Sequence, residues 1–414
     1  MRAETEVPVL TLEECLTIAE TNHPSVAGAE AQAAAGRGKL NQILAADRPE
    51  ISATASTARN GSDYNESTNH SVGATASLKI FDAKRNKYTA DAQRNTLSAT
   101  EEEGRKTVLD VRANVKSSYM ALLLSAETAA QRLESVRAFE RHLERAQGFY
   151  EVGTKPWYDV TKARVDLGNA QLSLVEAHAG VEVAKAALRN AMGVDQETLF
   201  DAAPVSLDLS AASAGELWNL SHVHGFEELE RLALENRADY RASELRTLAG
   251  RSTLSAEARA ASPSVSLTGG CNGAGDDVSE LEKSWNVGLR MSVPVIDGGA
   301  AKARADMAQA QLSSLAASRE KLRQDISLEV RRAYTEIVKA RERVRISELT
   351  LANAEENRKL ALGRYETGVG DSLEVTDALL SYASARLENR KARYDFQTAL
   401  IDTEKAIGME FLSH

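Results

Sequence analysis

Glu374 and Asp377 stand three residues apart, a spacing that puts both carboxylates on one face at the start of a helix. Carboxylates there complement the helix dipole by about 0.3–1 kcal/mol each. Gathered around an axis by several copies of the chain, the same face would make stacked acidic rings that attract cations, multivalent ones most strongly. Other reactive residue types do not combine. Of the seven histidines only His222 and His224 are close together, and they read as ordinary residues of an irregular linker. Gly269 to Gly273, with Cys271 inside it, does not open a helix and reads as a loop between strands rather than a phosphate cradle. Cys15 and Cys271 lie too far apart in sequence to suggest a redox or metal motif. No Ser/His/Asp arrangement is visible. The expectation is a protein that is not an enzyme and has no cofactor and no metal site.

The elements that must position those carboxylates are helices. Among 414 residues, aromatics are only 5% and prolines only 7, while Ala is abundant beside Glu, Arg, Lys and Leu. That mixture marks long helices in close contact. Runs over about 83–148 and 300–363 contain no proline, and ~65 helical residues would span about 98 Å. A turn and a last helix follow each run, over about 159–191 and 374–407. In the first of these, Val160, Ala163, Leu167, Ala170, Leu174, Ala177, Val181, Ala184, Leu188 and Ala191 step by three and four, a coiled-coil seam. Ala at every second seam position lets neighbouring helices approach closely. The second half keeps its Ala positions but places Tyr382, Asn389 and Thr403 at large ones.

A duplication organises the chain. At a shift of 215 residues, Tyr150-Glu151-Val152-Gly153 falls on Tyr365-Glu366-Thr367-Gly368. Val160-Thr161 then falls on Val375-Thr376, and Gly193 on Gly408. The expected division is a first repeat over 1–194, a linker over 195–225 packed on the outside, and a second repeat over 226–414. Each repeat should open with one helix, over about 12–47 and 226–261, ended by Pro49 or Pro263.

Two strands should follow in each repeat, over about 50–60, 71–82, 264–273 and 284–297. Trp285, Val287, Leu289, Met291, Val293 and Val295 alternate with small or polar residues, as do Val72, Ala74, Ala76, Leu78 and Ile80. A period of two gives one apolar face, and 10–12 residues suit a tilted membrane strand. No apolar run approaches the ~20 residues of a membrane helix. Four strands cannot close a barrel, and lipid does not tolerate open edges, so three chains sharing about twelve strands are expected. The net charge of −10 argues against a nucleic-acid partner. The first residues, Met1 to Glu6, do not read as an export leader, and we expect that an initiating methionine has replaced one.

With these features in hand, the sequence resembles the TolC-like outer-membrane efflux and secretion channels along essentially its whole length. The carriers are 12–24 (LEECLTIAETNHP), 150–163 (YEVGTKPWYDVTKA), 365–378 (YETGVGDSLEVTDA) and the duplication. The resemblance implies a mainly α fold with a small β part. Three chains would build a long antiparallel α-helical coiled-coil barrel in the periplasm and share a transmembrane β-barrel in the outer membrane of a Gram-negative cell. It implies a homotrimer in contact with outer-membrane lipid. The trimer would act as the exit duct of a tripartite efflux pump or type I secretion system, with a periplasmic adaptor and an inner-membrane pump of the RND or ABC type. It further implies that Glu374 and Asp377 form the acidic entrance rings, and that Asp159 and Tyr365 tie neighbouring helices shut. Gly153, Thr154, Gly368 and Val369 would receive the adaptor. The family's gate also uses an arginine two residues after the Tyr-x-x-Gly glycine. Gly370 stands there, with Lys155 in the equivalent slot of the first repeat, so the lock is expected to be rewired or weaker. The alternative reading is a periplasmic coiled-coil adaptor or scaffold without a pore.

Overall fold

The computed structural model describes residues 8–62, 65–204 and 225–410. Its helices are α1 (Leu12–Asn22), α2 (Pro24–Ala45), α3 (Arg85–Glu151), α4 (Trp157–Met192), α5 (Gly225–Asn236), α6 (Ala238–Glu257), α7 (Ala300–Glu366) and α8 (Ser372–Ile407). Its strands are β1 (Val9–Leu10), β2 (Glu50–Ser62), β3 (Asn65–Phe81), β4 (Asp201–Ala202), β5 (Ser264–Gly275) and β6 (Glu282–Ser292). The long helices repeat without slippage: α3 and α7 each have 67 residues, and α4 and α8 each have 36. Among the described helices none is long and apolar enough to cross a membrane.

By packing, the chain falls into two units, each drawing on both repeats. One comprises Met1–Gly28, Arg105–Arg237 and Arg323–His414, and the other Ala29–Gly104 and Ala238–Leu322.

In the first unit the α4 seam from Val160 to Ala191 is buried or half-buried throughout, whereas Val165, Leu172, Val175 and Val183 are exposed. The α8 seam is buried apart from a half-buried Tyr382, and its polar members Asn389 and Thr403 are satisfied. Asn389 Nδ2 donates to Ser347 Oγ at 3.1 Å, and Thr403 Oγ1 to Ala399 O at 2.8 Å. The opening helix of each repeat is two helices rather than one. Pro24 has no N–H and a fixed φ, so it begins α2 after an extended His23. Arg237 makes the corresponding break without a proline, its guanidinium donating to Ala406 O at 3.0 Å and pairing with Glu329 at 2.7 Å. Both breaks receive a glycine that ends a hairpin. Gly193 (φ 69°) and Gly408 (φ 75°) stop α4 and α8 in the left-handed conformation. A Cβ on Gly193 would lie 2.7 Å from His23 Cα, and one on Gly408 3.0 Å from Arg237 Cα. Of the linker, the segment 205–224 lies outside the described residues, with His222 and His224. Its described start forms β4, parallel to β1, and Tyr119 Oη donates to Leu10 O and Ala203 O on either side. Cys15 is buried in α1.

The second unit carries an antiparallel sheet in the order β2-β3-β5-β6. Its register puts Ile51 beside Ala76, Leu78 beside Leu267, and Leu267 beside Leu289. One face is therefore apolar across all four strands, and Trp285, Val287, Leu289 and Met291 on it are 64–80% exposed. The other face carries Ser, Thr, Gly and Asn. Two expectations are corrected here. The glycine run from Gly269 to Gly273, with Cys271, is strand, as the expected span 264–273 has it, and not the loop its glycines suggested. Glycine serves close packing there, since a Cβ on Gly270 would meet Asn286 Oδ1 at 3.1 Å and Ala74 O at 3.3 Å. The last strand stops at Ser292 rather than 297, because Pro294 has no amide to extend the ladder.

Candidate functional site

The two long hairpins, α3–α4 and α7–α8, turn in the same way. Gly153 (φ 75°) donates to Tyr150 O at 2.9 Å and Thr154 to Phe149 O at 2.9 Å. Gly368 (φ 79°) donates to Tyr365 O at 3.0 Å and Val369 to Arg364 O at 3.0 Å. This pair of bonds, closing over a left-handed residue, satisfies the last carbonyls of each long helix and favours glycine at the turn. The space around Gly153 and Gly368 is open, and Val369 is exposed. The next helices begin two residues earlier than the acidic pattern suggested, at Trp157 and Ser372. Asp371 is the reason in the second case: its Oδ1 caps α8 by accepting from Glu374 N at 2.7 Å.

The two turns touch. Lys155 Nζ donates to Gly370 O at 2.9 Å, and the same ammonium lies 5.4 Å from the Tyr365 ring centroid. Gly370 follows its own helix end so closely that a Cβ would come within 3.0 Å of Tyr365 N and 3.1 Å of Arg364 C. Tyr365 itself is wholly buried among Val136, Phe139, Ala170, Val375 and Leu379. Phe149 packs edge-on to it at 5.3 Å, and the His142 ring lies tilted against it at 5.5 Å. Its hydroxyl is buried without a hydrogen-bond partner among the described residues. Burial, with the nearby Asp159 carboxylate, pushes that hydroxyl up to about 12. Asp159 is buried as well. Its carboxyl is held above the usual range by burial and by Asp371, against the pull of Lys155.

His142 sits beneath this cluster. Its Nε2 lies 3.1 Å from Ser372 Oγ, which joins α3 to the start of α8, and its Nδ1 has no partner among the described residues. Burial holds the imidazole below its usual range, with Arg145 and Lys162 acting in the same sense and Asp166 opposing. Asp166 in turn accepts from Thr376 Oγ1 at 3.0 Å, which joins α4 to α8.

The structure therefore brings Asp159, Tyr365 and Lys155 together. It does not leave the two acidic residues equivalent. Glu374 pairs with Arg364 at 2.9 Å, while Asp377 is exposed on the next turn. His142, Ser372, Arg364 and Asp371 were not singled out from sequence. The only available signal was Asp371 as an N-cap, a Ser/Thr/Asp/Asn type three residues before Glu374.

With this geometry in view, the comparisons give the class. The profile of the outer membrane efflux protein family matches residues 16–194 and 229–409, and the chain belongs to that family. It is similar to the cation efflux system protein CusC of Escherichia coli (strain K12), at 24% identity over 346 residues covering 82% of this chain and 72% of CusC. It is also similar to the outer membrane protein OprJ of Pseudomonas aeruginosa, at 29% identity over 179 residues. That match spans 42% of this chain and only 37% of OprJ. In fold it resembles a solved structure of CusC, with a TM-score of 0.84 at 20% identity over 96% of this chain and 92% of that one. The outer membrane channel CmeC of Campylobacter jejuni gives a TM-score of 0.81 at 18% identity, over 96% and 85%. The mainly helical fold with a small β part is borne out, and these matches favour the channel reading over the adaptor or scaffold.

Proposed function

We propose that the chain is one protomer of a homotrimeric outer-membrane channel, the exit duct of a tripartite efflux system. The observation that supports this most is the sheet. It has four strands, one continuous apolar face and two edges, β2 and β6, that pair with no other described strand. Such a sheet is stable in lipid only if its edges are closed. Three copies would give about twelve strands, within the range of outer-membrane barrels. Family membership supports the same reading.

On this reading the hairpin turns are the periplasmic entrance, and Gly153, Thr154, Gly368 and Val369 are the surface offered to a periplasmic adaptor. Lys155, Asp159 and Tyr365 hold the first hairpin against the second in the resting state. Asp377 leads the acidic ring, with Glu374 partly neutralised by Arg364. The inner-membrane pump, of the RND or ABC type, supplies the energy.

Reconstitution into planar bilayers tests the proposal. The purified protein should give discrete, cation-selective conductance steps. Preparations that remain folded, bind lipid and yet never conduct would overturn it.

A further inference from the structure

One cavity of the first unit adjoins the Tyr365 cluster, with which it shares Phe139 and Leu379, but contains none of the residues assigned to the turns. It has a volume of about 210 Å³ and is enclosed by α3, α7 and α8. Its distinctive feature is charge. Arg141 from α3, Arg358 from α7 and Arg386 from α8 all line it. None of the three forms an ion pair among the described residues, in a chain whose surface arginines are widely paired. The cavity's one acid, Glu134, is committed to Arg137 at 3.0 Å. Glu355, close enough to feel Arg358 and Arg386, accepts its hydrogen bond from Lys359.

Arg358 is the best-fixed member. Its guanidinium stacks on the Tyr382 ring, 4.4 Å from the centroid, and its Nε is buried with no hydrogen-bond partner among the described residues. A buried donor left without an acceptor is costly, about 1–3 kcal/mol and more for charged groups. Three guanidinium groups on one polar hollow also repel one another unless an anion sits between them. Arginine forks match the oxygens of phosphate and carboxylate groups. The hollow has room for more than one water, which suits an anion of several oxygens.

We propose that this cavity binds a small multivalent oxyanion, of phosphate or polycarboxylate chemistry, held by Arg141, Arg358 and Arg386 with Tyr382 as the platform under Arg358. The bound anion would join α3 of the first hairpin to α7 and α8 of the second. It would act as a clamp distinct from the Lys155 contact. The site lies within one chain and does not depend on the channel reading.

The test is calorimetric titration of the purified full chain in detergent with inorganic phosphate and with citrate, at fixed ionic strength set by chloride. Saturable binding of either probe at about one site per chain is expected. Arg358→Gln and, separately, Arg386→Gln should each weaken it at least tenfold while melting temperature without ligand and oligomeric state stay as in the parent. The Arg386 variant keeps the test decisive if loss of Arg358 impairs folding. Saturable binding of one probe but not the other fixes the anion's shape within the same proposal. Absence of saturable binding by both probes, or equal binding by parent and variants, would overturn it.

Discussion

Lys155 and Gly370 occupy the same position in the two repeats, 215 residues apart, and the first donates its ammonium to the carbonyl of the second at 2.9 Å. The place where the resemblance leads us to expect an arginine thus holds a glycine whose carbonyl accepts from a cation of the other hairpin. An arginine at 370 would not fit without movement, since even a Cβ there crowds Tyr365 N and Arg364 C. On the proposed reading the lock is rewired, with its charge on the first turn and its acceptor on the second.

Lys155→Met should therefore loosen the turns. A hydrogen bond from a charged donor contributes about 1.5–3 kcal/mol, and the partial exposure of Lys155 puts this one at the low end. Melting should fall by a few degrees, and resting conductance in planar bilayers should rise. A variant with parental resting conductance would show that Lys155 does not hold the turns together.

His142 gives the hairpins a pH dependence of defined sign. Its imidazole is held below the unfolded value of 6.5, chiefly by burial. Above that value both folded and unfolded states carry neutral His142. As pH falls through 6.5 toward the folded value, the unfolded state binds the proton first and stability is lost. Asp159, raised above 3.8 by burial, has the opposite sign: its contribution is present at low pH and lost as pH rises through its folded value. His142→Gln should reduce the loss of stability below 6.5, read as melting temperature against pH, whereas Asp159→Asn should leave that limb in place. Parallel profiles for parent and His142→Gln would remove the histidine from the account.

Gly153→Leu and Gly368→Leu separate docking from folding. Both glycines have positive φ, and nothing lies within 4 Å of an added Cβ. The cost is confined to the left-handed backbone, about 1–2 kcal/mol, too little to dissolve the hairpins. Trimer yield should survive while export falls in a cell that depends on the channel. Full export by both variants would exclude the turns as the adaptor's surface.

The ion pair between Arg364 and Glu374 divides the work of the acidic residues. Asp377→Ala should lower cation selectivity and trivalent-cation block more than Glu374→Ala does. Arg364→Ala should strengthen both by freeing Glu374. Equal selectivity in all three variants, measured as reversal potential, would mean that neither carboxylate lines the entrance.

Much of this was legible in sequence because repetition and periodicity are local properties. The α4 seam, the hairpin glycines and the alternation of β3 and β6 needed no tertiary information. What was missed depends on partners remote in sequence. His142 and Ser372 are 230 residues apart, and a single histidine on a long helix gives no sign of which helix it will meet. Arg237 breaks a helical pattern without any breaker residue, because its bonds to Ala406 and Glu329 exist only in the folded chain. The glycine run in β5 read as loop because glycine weakens an isolated strand. In the sheet it permits the close approach of β3 and β6. The alternation past Ser292 overextended β6, although Pro294 was in view.

The central claim is that three chains share one barrel, and the mass of the detergent-extracted particle tests it most directly. Light scattering with the detergent contribution subtracted, or native mass spectrometry, should give three chains of 44.7 kDa in one particle. That particle should be lost when β6 is disrupted by Leu289→Pro, which removes a ladder amide from a strand edge needed for closure. A monodisperse single chain that stays in solution without detergent, its apolar sheet face exposed, would contradict the account.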